Sequence, residues 1–391
     1  MLFKTIGRRK VFISAFVFVL GFICLRQGFA NEPVVRVAIL KDAESFMLSV
    51  RGKYRIVDSE SAEELFQGKR LVTSYVFGRK NNIVIGDQEY RSDHLRIITT
   101  KDFSIYLKDR KYRYRGQLDI ILNDAGDMLI INTVDIEKYV RGVLYHEVPH
   151  YWPLEAIKTQ AVATRTYALY RVAQRKDQPY DVTSDVYSQV YGGRSAERHR
   201  TNIAAHRTKG KVLRYDGKIL PAYFHSTCGG NTENAGALWK HDLTPLNGVV
   251  CGFCNRSPHY NWKKEFRSRD IQDKLNANGF KLGLIKDISV AKRNASGRIK
   301  TLKVLTRDGK SVTIPGGKFR EFIGPNALKS NNYDIVMKGY YFDVIGRGWG
   351  HGVGMCQWGT YQMSQQRRKY KDILRYYYPG SQITKISALW N

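Results

Sequence analysis

The chain has 391 residues, of which 43% are hydrophobic and 25% are charged, and its formal net charge is +29. This composition excludes global disorder, and the length allows two or three domains with sizeable cores. So basic a chain suits a nucleic acid, an anionic wall polymer or an anionic membrane surface, although the charge can also serve solubility alone. We expect no nucleic-acid partner, because the sequence begins like that of an exported protein and carries no nucleic-acid-binding motif.

The first 30 residues have the pattern of a secretory signal peptide. MLFKTIGRRK is basic, VFISAFVFVLGFICL is apolar, and RQGFA ends with small residues at Gly28 and Ala30. This order predicts export to the periplasm or the cell wall, with cleavage after Ala30. The alternative is an uncleaved segment that serves as an N-terminal anchor.

Short apolar runs separated by turn residues fill the sequence from Pro33 to about Phe103. They predict a strand-rich N-terminal domain over residues 31–104, with one short helix from Ser61 to Phe66. From residue 105 to residue 391, further strand patterns alternate with helix patterns. We therefore predict a fold of the α+β class, in which a mixed α/β domain over residues 105–391 follows the strand-rich one.

Helix signals after residue 104 are concentrated in three places. The segment DIEKYVRGVLYHEVP opens helically, an alanine-rich helix runs from Pro153 to about Gln174, and a last helix runs from about Gln357 to Tyr376. Pro153 suits the first turn, where its missing N–H costs nothing. The alanines of the long helix predict that another element packs closely against it.

Residues 145–170, YHEVPHYWPLEAIKTQAVATRTYALY, combine an acid with a helix that carries polar side chains. Glu147 lies between aromatic residues and prolines, a setting that raises the pKa of a carboxyl and suits a general acid. Arg165 shares a helix face with apolar residues, so we expect it to have an anionic or carbonyl partner. Gln160 and Tyr167 share another face. The alternative is structural: Glu147 caps or pairs, and Arg165 is a satisfied buried ion.

Two pairs of potential metal ligands follow this helix. His225 and Cys228 form H-x2-C in YFHSTCGG, and Cys251 and Cys254 form C-x2-C in VVCGFC. Nitrogen and sulfur ligands in two close pairs predict a structural zinc site. Disulfides are the main alternative in an exported protein, and free thiols are the other.

The stretch GRGWGHGVGMCQWG, residues 346–359, holds six glycines. It lacks the Gly-Lys-Ser/Thr of a phosphate loop and the G-x-G-x-x-G spacing of a dinucleotide site. Glycines at every second position, with Trp349 and Trp358 beside them, suit backbone amides and aromatic faces that lie against a sugar chain. A tight turn packed in a core is the alternative.

Residues from about 105 to 391 resemble the stage II sporulation protein D family, the SpoIID/LytB group of cell-wall proteins. Five separated motifs carry the resemblance in the family's order: YRGQLDI with INTVDIEKYVRGVLYHEVP, WPLEAIKTQAVATRTYAL, SDVYSQVYGG, YDGKILPAYFHSTCGG, and GRGWGHGVGMCQWG with ILRYYYPGSQI. Five motifs in order are far more specific than any single one. The N-terminal strands match only loosely.

The resemblance implies a lytic transglycosylase that cleaves peptidoglycan glycan strands already stripped of their stem peptides and leaves 1,6-anhydro-muramyl ends. The catalytic glutamate of the family's E-M-P motif falls on Glu147, and its helix arginine and tyrosine fall on Arg165 and Tyr167. Such an enzyme uses the muramyl sugar's own 6-hydroxyl as nucleophile, so one carboxyl suffices where hydrolysis by water needs two. A stem-peptide amidase is an implied partner, in sporulation or in cell division.

We expect the glycine-rich loop to press against the glycan. The predicted substrate-binding residues are Gln160, Trp349, Gly350, His351 and Gly352. A non-catalytic glycan-binding or amidase-activating cell-wall protein is the alternative function. The intact Glu147, Arg165 and Tyr167 favour the enzyme.

The sequence departs from the family pattern at three positions. Val148 stands where methionine is usual, and Cys228 and Cys356 replace serines. Cys228 strengthens the zinc prediction, because it supplies a sulfur opposite the C-x2-C pair. Cys356 lies near the expected cleft and receives no role from the sequence.

Overall fold

The computed structural model describes residues 33–107, 110–239 and 242–389. The predicted signal peptide, residues 1–30, lies outside the described residues, so cleavage after Ala30 and the alternative anchor stay predictions. Within the described part of the chain, no helix is both long enough and apolar enough to cross a membrane.

Residues 34–135 are built mainly from strands. In the described residues, the strands that precede the first helix are β1 Val34–Ala43, β2 Ser45–Val50, β3 Tyr54–Asp58, β4 Glu64–Gly68, β5 Leu71–Arg79, β6 Asn82–Ile85, β7 Gln88–Tyr90, β8 His94–Thr99, β9 Phe103–Leu107, β10 Arg110–Tyr114, β11 Gln117–Leu122 and β12 Met128–Asp135. Their alternating buried and exposed positions match the period of two that the sequence showed. The predicted α+β class is confirmed, since the described residues also contain eight α-helices and further strands after residue 135.

The helices begin at residue 136. They are α1 Ile136–Glu147, α2 Leu154–Gln174, α3 His199–Arg207, α4 Gly236–Trp239, α5 Ser268–Ala277, α6 Gly316–Ile323, α7 Gln357–Gln365 and α8 Tyr370–Tyr377. The remaining strands are β13 Val182–Thr183, β14 Lys211–Tyr215, β15 Lys218–Ile219, β16 Phe224–His225, β17 Asn261–Arg267, β18 Ile285–Arg293, β19 Ile299–Thr306, β20 Ser311–Pro315, β21 Tyr333–Lys338, β22 Tyr341–Arg347, β23 Met355–Cys356 and β24 Gln382–Lys385.

Two large sheets hold the early strands. One has the order β13-β1-β12-β11-β8-β3-β4, and the other has the order β10-β9-β2-β5-β6-β7. Strand β9 crosses the predicted domain boundary at residues 104 and 105, and β1 pairs with β12 across it, from Val34 opposite Asp135 to Ala43 opposite Met128. The division of the sequence into domains at this boundary stays a prediction.

The predicted helix over residues 61–66 is wrong. Residues 64–68 form β4, which pairs antiparallel with β3. The carboxylate of Asp58 accepts hydrogen bonds from the backbone N–H groups of Glu60 and Ser61. This local turn reverses the chain into a hairpin, so Ser61 belongs to the turn and not to a helix N-cap.

Helix α2 is confirmed, with Pro153 at its N-cap position. Four of its five alanines, Ala156, Ala161, Ala163 and Ala168, are fully buried, because α1, α3, α7 and α8 pack around the helix. The last predicted helix is instead two helices, α7 and α8. Arg367 between them has a φ of 63°, and the carboxylate of Glu155 accepts a hydrogen bond from the N–H of Tyr370 at the start of α8. The sequence predicted neither the break between α7 and α8 nor the hydrogen bond from Tyr370 to Glu155.

Residues 261–347 form two three-stranded sheets, β17-β22-β21 and β18-β19-β20, which pack with α5 and α6 around their own apolar cluster. The parallel pair β16 and β23 places Phe224 opposite Met355 and His225 opposite Cys356. This pairing brings the H-x2-C segment beside the glycine-rich stretch, although about 130 residues separate them in sequence.

Candidate active site and cysteine cluster

A cleft with a volume of about 470 Å³ lies where the C-terminal end of α1 meets α2, β16 and the start of α7. Its described lining is mostly aromatic and polar, and Glu147 is the only acid in it. The lining residues are Glu147, Tyr167, Val186, Tyr187, Ser188, Val190, Tyr223, Phe224, His225, Ser226, Trp239, Arg320, Pro325, Asn326, Trp349, Gly350, His351 and Gln357.

Glu147 is the last residue of α1, and the chain becomes extended at Val148. Its side chain is largely buried, and burial raises the pKa of its carboxyl from 4.5 to about 7. Two neutral donors partly oppose this shift. The backbone N–H of Val190 donates to Oε1 at 3.2 Å, and the side-chain amide of Gln357 donates to Oε2 at 3.4 Å. No arginine or lysine forms an ion pair with this carboxyl within the described residues, so burial dominates.

A chain of amides holds this carboxyl in place. The Nε2 of Gln357 also donates to the backbone carbonyl of Glu147 at 3.1 Å and to Oε1 of Gln160 at 3.3 Å. Gln160 in turn donates to the hydroxyl of Thr164. Gln160 is fully buried behind the cleft and does not line it, so the structure places this predicted substrate-binding residue one step away from the cleft. The sequence analysis missed Gln357, although it follows Cys356 within the glycine-rich motif.

Aromatic rings form one wall of the cleft. The ring of Tyr223 lies 5.9 Å from that of Tyr167 and 4.4 Å from that of Trp239, measured between centroids. The ring of Trp239 lies 5.1 Å from that of His351. At the rim, the side chain of Tyr187 is 85% exposed. Sugar rings present apolar C–H faces, and a row of aromatic rings is a surface on which such faces pack. Of these residues, the sequence analysis had predicted Tyr167 and His351.

The imidazoles beside the cleft are neutral and held by the backbone. His351 accepts a hydrogen bond from the N–H of Val353 at Nδ1 and donates from Nε2 to the carbonyl of Phe224. Burial lowers its pKa to about 4. His225 donates from Nδ1 to the carbonyl of Val353, and its Nε2 has no hydrogen-bond partner within the described residues. His351 therefore offers a substrate its ring face and no free nitrogen.

The glycines of residues 346–359 pack mainly against the protein itself. Gly350 and Gly352 have φ values of 112° and 88°, which residues with a Cβ rarely adopt. A Cβ on Gly350 would lie 2.8 Å from the Cβ of His225, and one on Gly352 would overlap the guanidinium of Arg298. Gly350 and Trp349 line the cleft, whereas Gly352 does not. The geometry of a tight turn packed in a core thus accounts for most of the glycine content.

Arg165 does not reach the cleft. It is fully buried, and its Nε and Nη2 each donate to a carboxylate oxygen of Glu137 at 2.8 Å. Its remaining N–H groups face backbone carbonyls, including that of Lys211 at 3.1 Å. The ion pair ties the first turn of α1 to the middle of α2. Among the predicted catalytic residues, the structure brings Glu147 and Tyr167 to the cleft and places Arg165 in the helix packing beneath it.

Four cysteines form a buried cluster. Their Sγ atoms all lie within 4.8 Å of one another, each residue is at most 1% exposed, and the members are Cys228, Cys251, Cys254 and Cys356. The Sγ atoms of Cys228 and Cys254 are 3.4 Å apart, well beyond the S–S bond of about 2.05 Å in a disulfide. Four thiolates around tetrahedral zinc, with Zn–S bonds of about 2.3 Å, would lie about 3.8 Å from one another. The donor set and its spacing therefore fit a structural zinc ion.

Cys356 takes the place of His225 among the predicted metal ligands. The structure joins Cys228, Cys251 and Cys254 to Cys356, whereas Nδ1 of His225 is taken by a backbone carbonyl and its ring lines the cleft. The reason is the parallel pairing of β16 and β23, which carries Cys356 to the cluster from the far end of the chain. A sequence signal existed, since Cys356 was a second departure from serine at the edge of the glycine-rich motif.

The cluster lies directly behind the cleft. Cys356 is the N-cap of α7, and its Sγ accepts hydrogen bonds from the N–H groups of Gly359 and Cys228, both at 3.3 Å. The next residue, Gln357, is the one that donates to Glu147. The cluster thus fixes the helix start from which the carboxyl is oriented.

Comparisons with known proteins agree with this architecture. Residues 124–215 match the family model of the stage II sporulation protein, and residues 249–354 match a domain of unknown function (DUF8618). An uncharacterised protein of Brachyspira hyodysenteriae is 30% identical over 93% of this chain and 96% of its own length. The amidase enhancer of Bacillus subtilis is 26% identical over 63% of this chain and 40% of its own length.

Stage II sporulation protein D of Bacillus subtilis is 30% identical over 67% of this chain and 78% of its own length. Glu147, Arg165 and Tyr167 lie within the segment of this chain that matches the family model. On these matches, the chain belongs to the stage II sporulation protein D (SpoIID) family.

Proposed function

We propose that this protein is a lytic transglycosylase that cleaves denuded peptidoglycan glycan strands and leaves 1,6-anhydro-muramyl ends. The observation that carries the proposal is Glu147, a largely buried carboxyl with a pKa of about 7 and the only acid in the described lining of an aromatic cleft. A carboxyl with this pKa holds a proton near neutral pH and can also release it.

One carboxyl can serve both halves of the reaction. Protonated Glu147 donates its proton to the glycosidic oxygen as the bond between that oxygen and C1 of the muramyl sugar breaks. The 6-hydroxyl of the same sugar then attacks C1, and the Glu147 carboxylate takes the hydroxyl proton. The carboxyl ends as it began, and no water enters the product. A hydrolytic glycosidase would need a second carboxylate to activate water or form a covalent intermediate.

The surrounding residues have separate parts in this proposal. Gln357 and the N–H of Val190 hold the carboxyl in place. Because both donors are neutral, they offset only part of the effect of burial, and the pKa of Glu147 stays raised. Tyr167 lies on the same wall and can hydrogen-bond a sugar hydroxyl. The rings of Tyr223 and Trp239 give the strand a packing surface. Arg165 positions α1 through Glu137 and does not touch the substrate.

We also propose that the cysteine cluster binds a structural zinc ion through Cys228, Cys251, Cys254 and Cys356. Hydrogen bonds from the thiol of Cys228 and from neighbouring thiols lower the pKa of Cys254 well below its usual range, so a thiolate is available as a ligand. A closed four-thiolate set supplies fold stability and no open position for catalysis.

The proposed setting is the cell envelope. The basic composition suits an anionic wall polymer or membrane surface. Two relatives bear the names stage II sporulation protein D and amidase enhancer, which supports a cell-wall-related role in sporulation and an amidase as partner. The second of these names also supports a non-catalytic, amidase-activating role, which the experiment below separates from catalysis.

The test uses purified protein and glycan strands freed of stem peptides by an amidase. Wild-type protein should release fragments with anhydro ends, and Glu147→Gln should lose at least about 100-fold in rate, as expected when a general acid–base is removed. Tyr145→Phe, a conservative change outside the cleft lining, is the matched control and should retain activity. Denuded strands left intact by wild-type protein, together with faster release of stem peptides from undigested peptidoglycan when the protein is added to the amidase, would instead support the activating role.

A further inference from the structure

Among the residues that the structure describes, one cation of the cleft, Arg320, has no acidic partner. Arg320 is on the last full turn of α6 and lines the cleft beside Pro325 and Asn326. Its Nε donates to the carbonyl of Leu328 at 2.8 Å, and its Nη2 donates to the carbonyls of Pro325 at 3.2 Å and Lys329 at 3.1 Å. Neither an ion pair nor a hydrogen bond from Nη1 is found for this guanidinium among the residues that the structure describes.

This arrangement leaves a positive charge uncompensated in a partly dehydrated place. Burial lowers the pKa of Arg320 to about 10, which reflects the cost of holding the charged form away from water. Neutral carbonyls satisfy three of the five N–H groups but do not cancel the charge. The acid of the described cleft lining, Glu147, takes its hydrogen bonds from Val190 and Gln357 and not from Arg320.

We propose that the Nη1 side of Arg320 binds the free lactyl carboxylate of a denuded muramyl residue, and so selects strands without stem peptides. This inference rests on the proposed function. Every muramyl sugar carries a lactyl ether. Its carboxyl is an anion only where the stem peptide has been removed, because the peptide converts it to a neutral amide. An arginine is the side chain best suited to a carboxylate, and the contact is strongest where water is partly excluded.

Arg320 also has a structural part, because its bonds to three carbonyls hold residues 325–329 against the cleft. Loss of activity on mutation is therefore not enough to assign a role in substrate selection. The assignment needs a change on the substrate that removes the carboxylate and leaves the protein intact.

The experiment compares two substrates: denuded strands with free lactyl carboxylates, and the same strands after coupling of the carboxyls to methylamine. Wild-type kcat/KM should be at least about tenfold lower on the methylamide strands, the range expected for loss of a charge-assisted contact. Arg320→Gln should lose a similar factor on the free-carboxylate strands and should not distinguish the two substrates. Lys318→Gln, which alters an exposed lysine paired with Glu321 on the same helix, should behave like wild type.

Two results would overturn the inference: equal wild-type activity on both substrates, or an equal loss by Arg320→Gln on both. If Arg320→Gln fails to fold, Arg320→Lys takes its place, and equal wild-type activity on both substrates would still overturn the inference. Failure of the proposed function looks different, because wild-type protein then cuts neither substrate. In that case, calorimetric titration of Glu147→Gln protein with each strand measures the same preference as binding, and equal affinities would reject the role of Arg320.

Discussion

Replacing Glu147 by glutamine should stabilise the folded protein in alkaline solution, although it removes the proposed catalytic group. Burial raises the pKa of this carboxyl from 4.5 to about 7. Between these two pH values the folded chain keeps a proton that the unfolded chain has released. The free energy of unfolding of the wild type therefore falls as pH rises through this window, and it is constant with respect to this group on either side.

The size of the effect follows from the shift. One pKa unit corresponds to about 1.4 kcal/mol. The full shift would correspond to about 3 kcal/mol, and partial exposure of the side chain reduces this value. We therefore expect the free energy of unfolding of Glu147→Gln to exceed that of wild type by about 1–3 kcal/mol at about pH 8. Near pH 4, where the wild-type carboxyl is protonated in both states, the two proteins should be similar in stability.

Urea unfolding at both pH values provides the assay, and Glu155→Gln provides a control of opposite sign. Burial opposes ionisation of Glu155, but Lys158 and the N–H of Tyr370 together lower its pKa. Glu155→Gln should therefore cost stability at high pH, and the cost should shrink as pH falls below the unfolded value. A Glu147→Gln protein no more stable than wild type at about pH 8 would refute the claim that burial dominates at Glu147.

Three further predictions concern the frame of the cleft. Arg165→Met should destabilise the fold by about 3–5 kcal/mol in urea, because it leaves Glu137 as an unpaired buried charge, and adding Glu137→Gln should recover part of the loss; a cost near zero would contradict the ion-pair assignment. Elemental analysis should find about one zinc per chain in wild type and less in Cys356→Ser. Metal-free wild-type protein with oxidised cysteines would contradict the zinc site and support a disulfide. Gly352→Ala should cost about 1–3 kcal/mol or more because of its φ of 88° and the adjacent guanidinium, whereas Gly317→Ala in α6, where a Cβ meets open space, should be neutral or stabilising.

Local signals predicted α1 and α2, and they pointed to Glu147, which the structure places in the cleft. Glu147 could be found because its aromatic and proline neighbours lie beside it in sequence. The burial of α2 followed from its alanines, which the structure surrounds with four helices. The miss at residues 61–66 was also local, since the Asp58 carboxylate turns the chain before a helix can begin.

The sequence could not predict side-chain contacts between residues that lie far apart along the chain. Arg165 has its carboxylate 28 residues earlier, in Glu137. Gln357 meets Glu147 across 210 residues, and Cys356 joins the cysteine cluster only because β23 pairs with β16. Each contact depends on which strand lies beside which, and neither spacing nor composition determines that. Arg320 lies in a segment with no recognised motif and enters the cleft only through the packing of α6.

The source of the oxygen in the product tests the central claim most directly. Denuded glycan is incubated with wild-type protein in water enriched in heavy oxygen, and the new muramyl ends are weighed by mass spectrometry. If the sugar's own 6-hydroxyl is the nucleophile and Glu147 supplies and recovers the proton, the ends are lighter by one water than a reducing sugar and carry no heavy oxygen. Reducing ends that contain heavy oxygen would show hydrolysis by water and would contradict a mechanism based on one carboxyl.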